Sequence, residues 1–231
     1  MADNAQAPRT PSILTALITD MTMHHRPQTI HSYAPRQGHG LPHDPFNAII
    51  APRPIGWIST RAADGTLNLA PYSFFNAFNY VPPIIGFSSV GRKDTLNNIE
   101  ATGEFVWNLA TEDLAQPMNQ SSATLASDVD EFAIAGLTPL ASVQVAPPRV
   151  LESPVSMECK LTQILQLQGA DGAQVPTWLI LGEVVMVHID HALLENGIFQ
   201  TARSRPLLRA GGAGDYFTIN AQAHFDMRRP R

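Results

Sequence analysis

The sequence predicts a β-rich fold, and three observations carry that expectation. Nineteen prolines and fifteen glycines punctuate 231 residues. That density of turn formers suits short strands joined by tight loops better than a helical bundle. Only 15% of residues are charged, which leaves little material for solvated helix faces. The apolar runs are mostly of strand length, and only Lys93 to Gly103 carries a full set of helix signals.

Residues Met1 to about Pro27 read as an appendage, polar and proline-broken, with Met21 and Met23 just before H-H-R-P. The expected organisation is a flexible arm or extension over 1–30 and one folded domain over 31–231. Thr29 to Asp44 is rich in Gly, Pro and His and is expected as an extended arm on a barrel surface. Its histidines, His31, His39 and His43, lack a carboxylate or second histidine at i, i+4 ligand spacing, so no metal site is expected.

The core begins at Phe46 to Ile50. Pro52 and Pro54 flank Arg53 and force an extended path. Ile55 to Thr60 and Thr66 to Ala70 read as strands around the Asp64-Gly65 turn signal, and Val81 to Ser89 as a third. The helix from Lys93 has Asp94 as N-cap, Leu96 and Ile99 on one face and Gly103 at its end. Glu104 to Ala110 returns as a strand. Thr111 caps a short helix to about Asn119, and a D-x-x-E box at Asp128 and Glu131 opens another that ends at Gly136. Val155 to Leu167 and Thr177 to Asp190 are long strands joined by a G-A-D-G turn. Leu207 to Tyr216 is a glycine-rich tail. The whole reads as one β-barrel-like domain with a few short helices.

Bulk properties remove several function classes. A net charge of −5 disfavours nucleic-acid or anionic-membrane surfaces, which need clustered Lys and Arg. The apolar run Ile13 to Ile18 is far shorter than the ~20 residues that span a bilayer. One cysteine, Cys159, excludes an internal disulfide and a cysteine-based zinc cage. A cytoplasmic setting is expected. There is no G-x-G-x-x-G, P-loop, G-x-S-x-G or H-E-x-x-H motif. His188 and His191 are three apart on a strand end, and a metal pair there is not expected.

Chemistry concentrates between Ala51 and Thr95. Ser88, Ser89 and Thr95 supply hydroxyls, and Arg92 and Lys93 supply charge. Together they sit at a turn that opens a helix, the combination an anion such as phosphate requires. A solvated turn that happens to hold two cations satisfies the same pattern. Ser73, Phe74, Phe75 and Asn76 mix apolar walls with polar edges, as a flat heteroaromatic ring needs. Trp57, Ile58, Ser59 and Thr60 do the same. Each aromatic alone serves equally as a core residue, and Trp57 suits a core, an interface or a ring wall.

The sequence resembles the flavin reductase-like family of FMN-binding split barrels. The resemblance rests on H-D-P-F-N-A (His43 to Ala48), A-P-R-P-I-G-W-I-S-T (Ala51 to Thr60), N-L-A-P-Y-S-F-F-N (Asn68 to Asn76) and K-D-T-L-N-N-I-E (Lys93 to Glu100). It continues through T-G-E-F-V-W-N-L-A, A-G-L-T-P, P-P-R-V-x-E-S-P-V and G-E-V-V-M-V-H-I-D, in order, from about His31 to Tyr216. The resemblance implies a six-stranded antiparallel split barrel, a homodimer, and FMN near the dimer interface. By motif, Trp57 to Thr60 and Ser73 to Asn76 would line the ring and ribityl chain. Ser88, Ser89, Arg92, Lys93 and Thr95 would hold the phosphate. Arg53 and Tyr216 rank second. It implies hydride transfer from NADH or NADPH to flavin with no acid–base residue, and reduced flavin passing to a monooxygenase. An FMN electron carrier like flavoredoxin, without nicotinamide turnover, is the alternative.

Overall fold

The computed structural model describes residues 30–230; the expected arm over 1–30 lies almost wholly outside them. The described residues form two units, 30–42 and 43–230. In the first, a 3-10 turn at Pro35–Gln37 is closed by His31 Nε2 against the His39 carbonyl at 2.7 Å, and Leu41 N–H donates to His39 Nδ1.

A one-turn helix α1 (Phe46–Ile49) precedes strands β1 (Arg53–Pro54), β2 (Gly56–Arg61), β3 (Leu67–Tyr72), β4 (Phe75–Asn79) and β5 (Ile84–Val90). Helix α2 (Asp94–Thr102) leads to β6 (Glu104–Asn108), then α3 (Ala115–Gln120) and α4 (Glu131–Ala135). Two short ladder strands, β7 (Pro139–Leu140) and β8 (Arg149–Val150), precede the long hairpin β9 (Val155–Gln168) and β10 (Gln174–Ile189). The chain ends through β11 (Leu194–Glu195), β12 (Ile198–Phe199), β13 (Leu207–Arg209) and β14 (Tyr216–Thr218).

The principal sheet has the order β3-β2-β6-β9-β10-β5-β4 and is antiparallel throughout. It is the curled, mainly β architecture expected, with β4 as a seventh strand beside β5. Ser73 to Asn76, expected as a ring-lining segment for its mix of aromatic and polar side chains, runs into β4, whose pairing with β5 makes it an edge strand. Strand β5 starts at Ile84 rather than Val81, since Pro82 and Pro83 have no N–H for a ladder. The expected glycine-rich tail forms β13 and β14, which join β1 in a small sheet. The helix opening at Glu131 is capped by Asp130, whose carboxylate accepts the Phe132 N–H, and not by Asp128. Glu131 instead turns inward and accepts the Leu69 N–H at 3.1 Å.

Strand β2 shows why its sequence alternates so poorly. Trp57 and Ile58 point to opposite faces of the sheet, and both are fully buried. Ile58 joins Phe87, Leu96, Ile99, Phe105 and Ile180 in one core. Trp57 joins Leu69, Met118 and Phe132 in a second, beneath α3 and α4. A strand covered on both faces carries apolar residues at consecutive positions.

Candidate functional site

The turn from β5 into α2 is built by three local devices. Ser89 Oγ donates to the Gly91 carbonyl at 2.9 Å. Gly91 adopts φ +80°, a left-handed geometry that a Cβ resists, and its N–H donates to the Pro176 carbonyl. Lys93 precedes the first helical residue with extended backbone and caps nothing with its side chain. The free N–H groups of the first helical turn are therefore left near Lys93 and Thr95.

Arg92, Lys93 and Thr95 line a cavity of about 300 Å³ together with Asn68, Tyr72, Asp94, Ser121, Ser122, Thr124 and Glu131. Thr95 Oγ1 accepts from Asn68 Nδ2 at 2.8 Å, which leaves its own O–H free to donate. Lys93 has no ion-pair partner among the described residues, whereas Arg92 pairs with Glu100 and lies 5.7 Å over the Trp178 ring. The Tyr72 hydroxyl is buried without a hydrogen bond of normal geometry. Burial pushes its ionisation up to about 12, the neighbouring Thr95 and Ser89 hydroxyls pulling the other way. Burial likewise raises the Glu131 carboxyl, against the Leu69 N–H and with Asp94 and Asp130 adding to the rise.

A second cavity, about 380 Å³, is lined by Arg53, Ser73, Phe74, Phe75, Asn76, Phe78 and Ser88 among others. The chain runs directly from one cavity to the other, because Tyr72 lines the first and Ser73 the second. Ser88 is fixed by its N–H donating to the Phe74 carbonyl at 2.9 Å. Phe75 stacks on Trp107 with ring centroids 5.7 Å apart. Arg53 lies 5.7 Å over the Phe74 ring and donates to the carbonyls of Asn47, Ile50 and Ala210. Burial, followed by the charge of Arg209, lowers its pKa.

Two groups of predicted residues take other places. Trp57, Ile58, Ser59 and Thr60 are fully buried and line neither cavity. Trp57 donates its indole N–H to Ser121 Oγ at 2.9 Å, Ser59 donates to the Pro148 carbonyl, and Thr60 accepts from Asn68 and Asn98. Their polar atoms are spent holding the sheet and its covering loops. Tyr216 lines a third cavity of about 630 Å³ with Ala48, Ala51, Gly211, Asp215 and Phe217; of the expected phosphate group, Ser89 is buried beneath its turn and Ser88 lines the second cavity rather than the first. Sequence reasoning missed Asn68, Ser121, Ser122, Thr124 and Glu131. Asn68 lay inside a noted motif, but the others carry no local signal, since only tertiary packing brings them to α2.

Among the described residues no group of three or more His, Cys, Asp or Glu side chains could hold a metal. His188 Nε2 meets Glu158 Oε1 at 2.7 Å, in a carboxylate–imidazole contact remote in sequence from His31 and His39. No helix of the described residues is long and apolar enough to cross a membrane.

Fold and cavities together define a split-barrel protein with a cationic turn beside an aromatic-walled pocket. The chain belongs to the flavin reductase-like family: the sequence model described as "Flavin reductase like domain" matches residues 50–212. A protein of Aquifex aeolicus is 36% identical over 170 residues, covering 71% of this chain and 83% of that one. The crystal structure of nitrilotriacetate monooxygenase component B from Bacillus cereus superposes with a TM-score of 0.76 at 30% identity, over 86% of this chain and 98% of that one. A flavoredoxin of Desulfovibrio vulgaris shares the fold at TM-score 0.66 and 22% identity, over 77% of this chain and 90% of that one.

Proposed function

We propose that this chain binds FMN and catalyses its reduction by NADH or NADPH. The observation that carries the proposal is the convergence of Lys93, Arg92 and Thr95 at the N-terminus of α2 on one side of a hydroxyl-lined cavity. The donor set fits a phosphate. It offers an ammonium with no ion pair among the described residues, a threonine hydroxyl that accepts from Asn68 and can donate, and a buried phenol without a hydrogen bond of normal geometry. The adjoining cavity fits a ring, with Phe74, Phe75 and Phe78 as walls and Ser73, Asn76 and Ser88 as polar edges.

The flavin, when bound, supplies the hydride-accepting chemistry. The chain's residues bind and orient. Lys93 and Arg92 neutralise the phosphate, and α2 adds the partial positive charge of its N-terminus. Arg53 holds a fixed positive charge in the wall of the ring cavity, where it favours the negative charge of a reduced ring. Its guanidinium stays protonated at neutral pH and is braced by the carbonyls of Asn47, Ile50 and Ala210, so it stabilises charge without moving a proton. Buried Trp57, Ser59 and Thr60 act at one remove, by fixing β2 beside β3.

The similarity to a monooxygenase component supports a further part of the reading: reduced flavin leaves this protein for a partner oxygenase. A homodimer fits the exposed apolar side chains, Phe78 in the wall of the ring cavity and Ile49 at 70% and Tyr80 at 89% exposure among them. Cytoplasm, where reduced nicotinamide is made, is the proposed setting.

The test is spectroscopic. Purified protein is mixed with FMN and titrated anaerobically with NADH and then NADPH. Bound FMN with a shifted visible band, bleached by either nucleotide, is the expected result. Absence of flavin binding would refute the proposal, and binding without bleaching would mark an electron carrier.

A further inference from the structure

We propose that Arg53 and Arg209, opposed across the small sheet, form a phosphate site for the nicotinamide dinucleotide donor. The inference rests on the reading above and adds to it the element that receives the donor. Arg53 and Arg209 are Cα partners in the β1–β13 ladder. Like charges directly opposite one another destabilise an antiparallel pair. Neither guanidinium has a carboxylate within ion-pair distance among the described residues, so the repulsion is left uncompensated by the protein.

Both side chains are nonetheless held in place. Arg53 is 9% exposed, lies over Phe74, and gives its Nη groups to three backbone carbonyls. Its Nε is buried and has no partner. Arg209 lies 4.8 Å over the Tyr216 ring and donates from Nη2 to the carbonyls of Gly212 and Ala213, each at 3.0 Å. Its Nε and Nη1 have no hydrogen bond among the described residues and can donate. Arg53 thus contributes fixed charge and Arg209 the N–H groups, and with no ion-pair partner for either among the described residues the pair is a preorganised receptor for a polyanion.

The surroundings select the donor's phosphates over those of FMN. Arg53 faces the ring cavity, whereas the FMN phosphate is assigned to Lys93 and Thr95 in the other cavity. A dinucleotide that lays its nicotinamide on the ring must bring its pyrophosphate to the rim of the ring cavity. The 630 Å³ cavity beyond, with Tyr216 and Phe217 in its wall, has room for the rest of the nucleotide.

The test uses Arg209→Gln, which keeps N–H donors for Gly212 and Ala213 but removes the charge, and Arg209→Lys, which restores charge without the planar fork. Steady-state reduction of FMN is measured with NADH and NADPH, with inorganic pyrophosphate as inhibitor, alongside the Kd values of FMN and riboflavin. In the wild type, pyrophosphate is expected to compete with the donor. In Arg209→Gln the donor KM should rise by about tenfold or more, the scale of losing a charged hydrogen bond. Its kcat should stay within about twofold, flavin Kd values should not move, and Arg209→Lys should recover part of the KM. An unchanged KM, or a wild type insensitive to pyrophosphate, overturns the site. Weakened FMN with unweakened riboflavin overturns it too, by giving the arginines to the cofactor. A wild type that neither nucleotide bleaches fails before any variant is made, and sinks the proposed reduction along with the site.

Discussion

Lys93 and Arg92 are neighbours with unequal freedom. The ammonium of Lys93 is uncommitted, while the guanidinium of Arg92 is shared with Glu100 and Trp178. Lys93→Ala is therefore expected to weaken FMN by about tenfold or more, with little effect on riboflavin. Arg92→Ala should cost less, because its charge is already half spent. Fluorescence titration of both flavins checks the order, and equal losses for FMN and riboflavin would remove the phosphate from this turn. Tyr72 poses the opposite question, a buried hydroxyl with no partner of its own. Its ionisation is raised to about 12. The unfolded chain therefore loses this proton near pH 10 while the folded chain keeps it. Stability from this residue is complete below pH 10 and is lost as pH rises toward 12. Tyr72→Phe should leave the neutral-pH Tm nearly unchanged and blunt the alkaline loss, which thermal melts at pH 8 and 11 would reveal.

Strands β9 and β10 anchor the loop between β7 and β8 through Glu158. This carboxylate is fully buried and accepts from the Val143 and Gln144 N–H groups at 2.8 and 2.5 Å and from His188. Burial opposes its charge, but those donors outweigh it and hold its pKa below the ordinary value. The depressed pKa means its stability is in place above about pH 4.3, the unfolded value, and is lost as pH falls through the folded one. Glu158→Gln should destabilise the protein by about 2–4 kcal/mol at pH 7 and flatten the acid limb of its stability curve. Denaturant melts at pH 7 and 4 separate these two effects. On the other side of β10, Gly86 lets β5 sit close. A Cβ there would lie 2.5 Å from Leu181 Cδ2 and 2.8 Å from the Ile180 carbonyl. The second contact is backbone and cannot yield, so Gly86→Ala should cost about 1–3 kcal/mol and should loosen β4, where Phe75 and Asn76 sit.

At the scale of the whole molecule, ligand and partner should act on stability through mass action. FMN at a hundredfold excess over its Kd should add about 2.7 kcal/mol, visible as a rise in Tm that riboflavin matches poorly. Phe78 in the wall of the ring cavity, with Phe46, Ile49, Tyr80 and Val81 also exposed, is more hydrophobic surface than an isolated chain ordinarily leaves in water. Sedimentation should give twice the chain mass. A monomer at micromolar concentration would return that surface to another partner.

The chain itself determined most strands of the principal sheet, the helix at Asp94–Thr102 and the cationic turn before it, but not β4, β13 or β14. Proline, glycine and capping chemistry act over a few residues and so are written locally. Motif order alone was enough to identify the family. Tertiary structure decided where each motif residue sits. Trp57 and Ser59 carry the same types of atom as ring-wall residues, yet the sheet is covered on both faces and takes them into its core. Ser121, Thr124 and Glu131 are distant in sequence and reach the cavity only because α3 and α4 pack over β3. Arg53 and Arg209 lie 156 positions apart, and nothing in either neighbourhood announces the other. Their opposition exists only in the β1–β13 register, because strand pairing, unlike capping or turn chemistry, is settled between segments rather than within them.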